Sequence, residues 1–364
     1  MTTQNTIVPF EATHPGILIK DELDARPDLT QKDLAAELDV KPSFLNEIIK
    51  GKRPITADIA VLLEKALEIP AGYWMKFQSQ YEIDKARVKE KNIKRIQNLD
   101  IWKIIKEYVP VKYFKKLGYL MGDLEKDILT IKEIYNVASI DELVASFSKS
   151  KFAFFRKSEK LQIDEKNMFA WSSLALYEAK KQAVNTFNHN NIDQLCIRLN
   201  EAFFENNNTI DKIKPILNQF GIKLVLIQKL EKTPVDGFSF WSDENPAIAI
   251  TLRHKRIDNF SFTLMHEIAH IVLHLRNNKE KTFMDLTRKN KKDQYETEAD
   301  GFAQEKLIPD NLWNNIVSNH LPLNDDKIFT IANQNKINPA ILLGRVCFEM
   351  NYYAIRTKID KVLK

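Results

Sequence analysis

The stretch "FTLMHEIAHIVLH", residues 262–274, sets His266, Glu267, His270 and His274 in an otherwise apolar run. With Leu or Ala at those positions it would read as an ordinary buried helix, whereas an imidazole or carboxylate buried without a partner costs roughly several kcal/mol. Histidines four apart on an α-helix are separated by about 40° around its axis, so His266 and His270 face one side and can hold one ion. Glu267, beside the first of them, can reach a water on that ion without ligating it, the arrangement written HExxH. His274 has drifted by about 80° from His266 and reads as a packed or surface histidine. His254 reads as structural or solvated.

A hydrolytic zinc site needs a third protein ligand and one open position. The segment "YETEADGFAQEKLIP", residues 295–309, offers both acids and helical spacing. Glu296, Ala299, Asp300 and Ala303 fall on one face, and the two alanines let another helix come close. Glu296 is the expected third ligand, and Asp300 the carboxylate that accepts an N–H from a ligating histidine and fixes its tautomer. Glu298 stays open as an alternative ligand, because the choice depends on the rotation of the helix. Two imidazoles and a carboxylate suit Zn2+ without excluding Mn2+ or Fe2+. A bound water would have its pKa drawn toward about 7, and Glu267 would take its proton as general base. Tyr352 and Tyr353 are candidates for a further oxyanion donor. Upstream, "GIKLVLIQKL" (221–230) and "NPAIAITL" (245–252) read as strands with "DGFSFWSDENP" (236–246) between them, which lays the motif helix against a small sheet.

The order of strand, hairpin, "FTLMHEIAHIVLH" and "ETEADGFAQEKLIP" resembles the ImmA/IrrE family of metallopeptidases over about residues 195–310. The segment "IANQNKINPAILLGRV" (331–346) is similar to the helical tails of such proteins. The resemblance implies a zincin-like domain that cleaves a regulatory protein such as a repressor or antitoxin.

The other end of the chain has a different pattern. Thr13 can cap a helix in "THPG", with Pro15 in its first turn and Ile17, Leu18 and Leu23 at core-like spacing. In "LTQKDLAAELDVKPSFLNEIIKGKRPIT", Thr30 and Asp33 form a variant capping box, and Leu34, Ala35 and Leu38 make an apolar face. After a break at Asp39–Val40, Pro42 opens a second helix carrying Leu45, Ile48 and Ile49, which Gly51 ends. Two short helices joined by a tight turn make a helix-turn-helix. Asp39, where a turn glycine is common, can take the left-handed conformation.

These words, with "LEIPAGYWMKFQSQYE" after them, resemble the Xre-type helix-turn-helix of the HigA antitoxin family over about residues 13–83. The resemblance implies that the second helix lies in the major groove. By position it offers Gln31, Lys41, Ser43, Asn46, Lys50, Lys52 and Arg53 to DNA, the last two best suited to phosphates. Phe44 would serve as an apolar contact if the module docked a protein instead.

Charge divides the chain unevenly. Residues 1–84 carry 9 Lys/Arg against 14 Asp/Glu, whereas residues 85–116 carry 11 against 3, so "KARVKEKNIKRIQ" reads as a solvated basic helix opening a connector. Within 41–53, however, four basic groups face one acid, Glu47. Residues 85–190 read as mostly helical, with a turn near Ser158–Asp164 and then a long helix with Trp171 on its apolar side. Similar "FRKS…D…AW" words occur in larger regulators that join such a helix-turn-helix to a peptidase domain. Cys196 and Cys347 are too few for a disulfide framework and read as packing residues. No apolar run approaches the roughly 20 residues that span a bilayer, and no signal peptide opens the chain, so a cytoplasmic protein without membrane contact is expected.

The expected fold is mainly α with a small β-sheet (α+β). It comprises a helix-turn-helix domain over 1–84, a basic helical connector over 85–190 and a metallopeptidase domain with a helical tail over 191–364. The function this implies is a DNA-binding transcriptional regulator with a zinc-dependent endopeptidase domain. The alternative is an antitoxin-like DNA- or protein-binding regulator whose metal is a sensor or scaffold. The partners are double-stranded operator DNA and a regulatory protein or antitoxin as substrate or partner, with a homodimer left open.

Overall fold

The computed structural model describes residues 11–149, 164–276, 278–286, 294–320, 323–351, 353 and 356–364. It falls into two compact units, residues 1–103 and 104–364. The first holds α1 (Gly16–Ala25), α2 (Gln31–Glu37), α3 (Pro42–Ile49), α4 (Ala57–Leu67) and α5 (Ala71–Arg87), and α6 (Glu90–Tyr108) contains the boundary. The second continues with α7 (Val111–Lys116), α8 (Leu124–Tyr135), α9 (Ile140–Lys149), α10 (Glu165–Lys180), α11 (Ile192–Glu205) and α12 (Thr209–Gln219). Then come β1 (Lys223–Ile227), β2 (Val235–Ser242), β3 (Asn245–Thr251), α13 (Ile257–Ala269), β4 (Phe283–Leu286), α14 (Gln294–Leu307), α15 (Asp310–His320), α16 (Asp325–Gln334) and α17 (Pro339–Glu349).

In the first unit, α2 and α3 form the helix-turn-helix. Thr30 and Asp33 make the reciprocal capping box at the start of α2, which satisfies two of the donors a helix N-terminus leaves open. Asp39 takes a positive φ of 50° in the turn, and Gly51 one of 70° after α3. Leu34, Ala35, Leu38, Leu45 and Ile48 are buried with Ile55, Leu63 and Trp74 in one core. Two expectations for α1 are corrected. The main-chain N–H of Gly16 is capped by His14 Nδ1 at 2.9 Å rather than by Thr13. Leu18 and Leu23 pack against the core as expected, but Ile17 is exposed and the buried positions are Gly16 and Ile19. Gly16 is needed for close approach, because a Cβ there would lie 2.1 Å from the carbonyl oxygen of Ile48 on α3.

In the second unit the sheet order is β1-β3-β2-β4. β1 runs parallel to β3, pairing Val225 with Ala249, while β2 is antiparallel to both β3 and β4. The segment between the two expected strands is thus itself an inner strand, β2, joined to β3 by a tight turn in which Asp243 has φ 56°. β4 is an edge strand that the sequence pattern did not reveal. Its pairing with β2 is irregular between Val235 and Gly237. α13 packs on β2 and β3, and α14 packs closely on α13, where Ala299 and Ala303 are fully buried. α10, in the segment expected as a connector, packs on β1 and β2 with the Trp171 ring 6.1 Å from that of Phe238. Asp164 caps α10; the rest of the turn expected near Ser158–Asp164 lies outside the described residues, as does Tyr352.

Candidate metal centre

α13 ends on the motif. Its last turn carries His266 and Glu267, and the chain continues into a π-helical turn, His270–Leu275. His266, Glu267 and His270 are fully buried. The two Nε2 atoms face each other at 3.0 Å. Glu296, from α14, brings its carboxylate oxygens to 3.3 Å from His266 Nε2 and 3.5 Å from His270 Nε2. Donors about 2.0–2.2 Å from one tetrahedral ion stand roughly 3.3 Å apart, so this trio fits a shared cation.

Glu267 has its own cradle on β2. Ser239 Oγ is hydrogen-bonded to Glu267 Oε2 and lies 3.0 Å from the main-chain oxygen of Glu267. Two residues earlier on the same strand face, a Cβ at Gly237 would fall 2.0 Å from Glu267 Oε1. That oxygen is buried and has no hydrogen-bond partner among the described residues. Burial, reinforced by the nearby carboxylates of Asp285 and Glu296, pushes the Glu267 carboxyl up to about 8. A dication beside it would draw it back toward the anion. Burial also raises Glu296, but hydrogen bonds and charge from His266 and His270 outweigh it and hold this carboxyl well below its ordinary range. Burial keeps His270 below its usual value. An anionic carboxylate beside neutral imidazole is the state that ligates a metal.

The residues around the trio are arranged by α14. Asp300 places Oδ1 2.9 Å from His266 Nδ1. Glu298 does not enter the trio and instead meets His274 Nε2 at 3.0 Å. His274 is packed rather than at the surface, its side chain 3 % exposed, and its Nδ1 lies 2.9 Å from His270 Nδ1. The turn that carries it is π-helical, bonding i to i+5 and holding more residues per turn than the α-helix assumed in the sequence reading. His270 also stacks on Phe283 of β4, ring centroids 4.4 Å apart. Ser239, Gly237 and Phe283 escaped the sequence reading. Their signal was faint: two small residues at i and i+2 in the aromatic strand "DGFSFW". His254 is exposed and, with Tyr353, lines a cavity of about 410 Å3 that also reaches Asp300.

In the first unit, Lys41 at the N-cap of α3, Ser43 on it, and Lys50, Lys52 and Arg53 after it are exposed, while Gln31 and Asn46 are half-buried. Arg53 is already engaged: Nε donates to Glu47, and the guanidinium lies 5.2 Å over the ring of Phe44. Phe44 packs against the helical core from its rim.

A peptidase family described as the IrrE N-terminal-like domain matches residues 217–334, and a helix-turn-helix family matches residues 19–74. The chain is 34% identical over 82 residues to virulence-associated protein I of Dichelobacter nodosus, covering 22% of this chain and 76% of that protein. To virulence-associated protein A′ of the same organism it is 39% identical over 71 residues, 19% of this chain and 61% of that protein. Among solved structures it is similar to a HigA-family addiction module antidote protein from Coxiella burnetii, at 30% identity over 24% of this chain and 94% of that one, TM-score 0.23. It is also similar to the Pseudomonas aeruginosa antitoxin HigA solved with the higBA promoter, at 32% identity over 24% and 91%, TM-score 0.22. Among the described residues no helix is long and apolar enough to cross a membrane. Through its N-terminal domain the chain belongs to the helix-turn-helix family of these virulence-associated proteins, and its residues 217–334 match the family model of the IrrE N-terminal-like domain.

Proposed function

We propose that the chain is a DNA-binding regulator whose second unit is a metal-dependent endopeptidase acting on a regulatory protein, with a repressor or antitoxin as the substrate class. The observation that carries this reading is the convergence of His266, His270 and Glu296 beside a buried Glu267 whose Oε1 has no partner among the described residues. The three would hold a divalent cation, Zn2+ first among the options. When bound, such an ion acts as a Lewis acid on the scissile carbonyl and brings the pKa of a water to about 7. Glu267 takes the proton of the attacking water on Oε1, with Ser239 holding Oε2 in place, and passes it to the departing amine. Asp300 keeps the proton of His266 on Nδ1, leaving Nε2 to ligate.

For the first unit, Lys41, Ser43, Asn46, Lys50, Lys52 and Arg53, with Gln31, are proposed to meet operator DNA, the lysines and Arg53 mainly through phosphates. The test of the enzymatic reading uses the full chain loaded with Zn2+ and a protein encoded beside it as substrate. Cleavage should stop with a chelator. It should fall by about 1,000-fold or more in Glu267→Gln, which deletes the base, while that variant keeps its stoichiometric metal. Undiminished cleavage in Glu267→Gln would overturn the mechanism.

A further inference from the structure

An unbroken hydrogen-bonded path leads away from the proposed ion. His270 Nδ1 and His274 Nδ1 are 2.9 Å apart, and His274 Nε2 is 3.0 Å from Glu298 Oε2. Gln294 Nε2 donates to the other oxygen, Glu298 Oε1, at 2.7 Å. The His274 ring is fixed between Phe283, 5.2 Å away, and Tyr295, which meets it edge-on at 4.9 Å. It therefore cannot turn to exchange its two nitrogens without disturbing both rings.

A carboxylate only accepts, and this determines every proton along the path. Glu298 requires the proton of His274 to sit on Nε2. His274 Nδ1 is then an acceptor, so His270 must donate from Nδ1. The Nε2 lone pair of His270 is thereby left facing His266 and Glu296. We infer that Glu298 and His274 are positioning residues that select, through two imidazoles in series, the metal-ligating tautomer of His270. Asp300 does the same for His266 in one step, so acids at 296, 298 and 300 of a single helix divide into one ligand and two tautomer-setting groups. The inference rests on the cation site proposed above.

The experiment measures Zn2+ affinity of the full chain by competition with a chelating dye, alongside the imidazole 15N–1H correlations of the Zn2+-loaded protein. Glu298→Ala and His274→Leu should each weaken binding by about 10- to 100-fold, the usual effect of losing a group that orients a ligand. His274→Asn, whose amide oxygen can replace Nδ1 as acceptor, should recover part of the loss. In that background, adding Glu298→Ala should cost nothing more, a non-additivity that mere packing would not give. The spectra should show the proton of His274 on Nε2 in the parent. A parent His274 protonated on Nδ1 would overturn the inference. So would a Glu298→Ala affinity within about twofold of the parent when Glu296→Ala has lost the ion. If Glu296→Ala keeps the ion, the site reading itself fails, and this inference with it.

Discussion

α3 and α13 both carry the polar side chains assigned to function, but they solve opposite problems. α3 buries Leu45 and Ile48 and leaves Lys41, Ser43 and Lys50 in water. α13 and the turn after it bury His266, Glu267 and His270 as completely as their apolar neighbours Leu264 and Ile268. On α3 the apolar side alone sets the helix in place, and the polar side varies at little cost to folding. On α13 and the turn after it the buried His266, Glu267 and His270 have counterparts from other elements: Ser239 and Gly237 from β2, Glu296 and Asp300 from α14. Changes on α3 should therefore add, whereas changes around α13 should propagate through shared partners.

The largest break in that contrast is expected from one methyl group. Gly237→Ala puts a Cβ into the space of Glu267 Oε1. It should lower hydrolysis by about 100-fold, the scale of an ångström of misplacement, with the ligand trio and its ion retained; unchanged turnover would show that the carboxyl is not held by this cradle. A smaller effect is expected on α3. Lys52→Ala and Arg53→Ala should each weaken DNA binding uniformly across sequences and reduce the slope of log affinity against log salt by about one. Arg53 should do so less than Lys52, because Glu47 already engages it; equal slopes in all three proteins would remove this footprint.

The smallest effect concerns stability without metal. Burial raises the folded pKa of Glu267 to about 8, above the roughly 4.3 of an unfolded chain. The folded state binds this proton more tightly, so the contribution is full below about 4.3 and is lost as pH rises through about 8. Metal-free Glu267→Gln should consequently melt above the metal-free parent at pH 8, by several degrees or more (about 2–4 °C for each kcal/mol). The gap should close near pH 5, and thermal melts at the two pH values check this.

Much of this was readable from spacing. The capping box at Thr30, the left-handed Asp39, and the buried Leu34, Ala35, Leu45 and Ile48 follow from local rules acting over a few residues. That His266, His270, Glu296 and Asp300 come together also follows from helical periodicity and two alanines; what they bind is a proposal. The cradle around Glu267 was illegible because it depends on which face of β2 meets α13, a matter of sheet register. β4 was missed for a similar reason: four residues have too short a period to stand out, and their partner strand is more than 40 residues away in sequence. His274 is packed, one of the two places the sequence left open for it, but its link to Glu298 was not legible because that depends on how α14 meets the turn after α13.

That widened turn makes the length of the segment as consequential as its composition. From His270 to Leu275 the chain winds more residues into a turn than an α-helix does, and Leu273, exposed to water, is the natural one to discard. A chain shortened there by a single residue would keep every histidine but cut the step between the second and third imidazoles from four residues to three, and so change the angle at which the two rings meet. Homologous segments should accordingly tolerate exchanges of side chain far more readily than a change in their count.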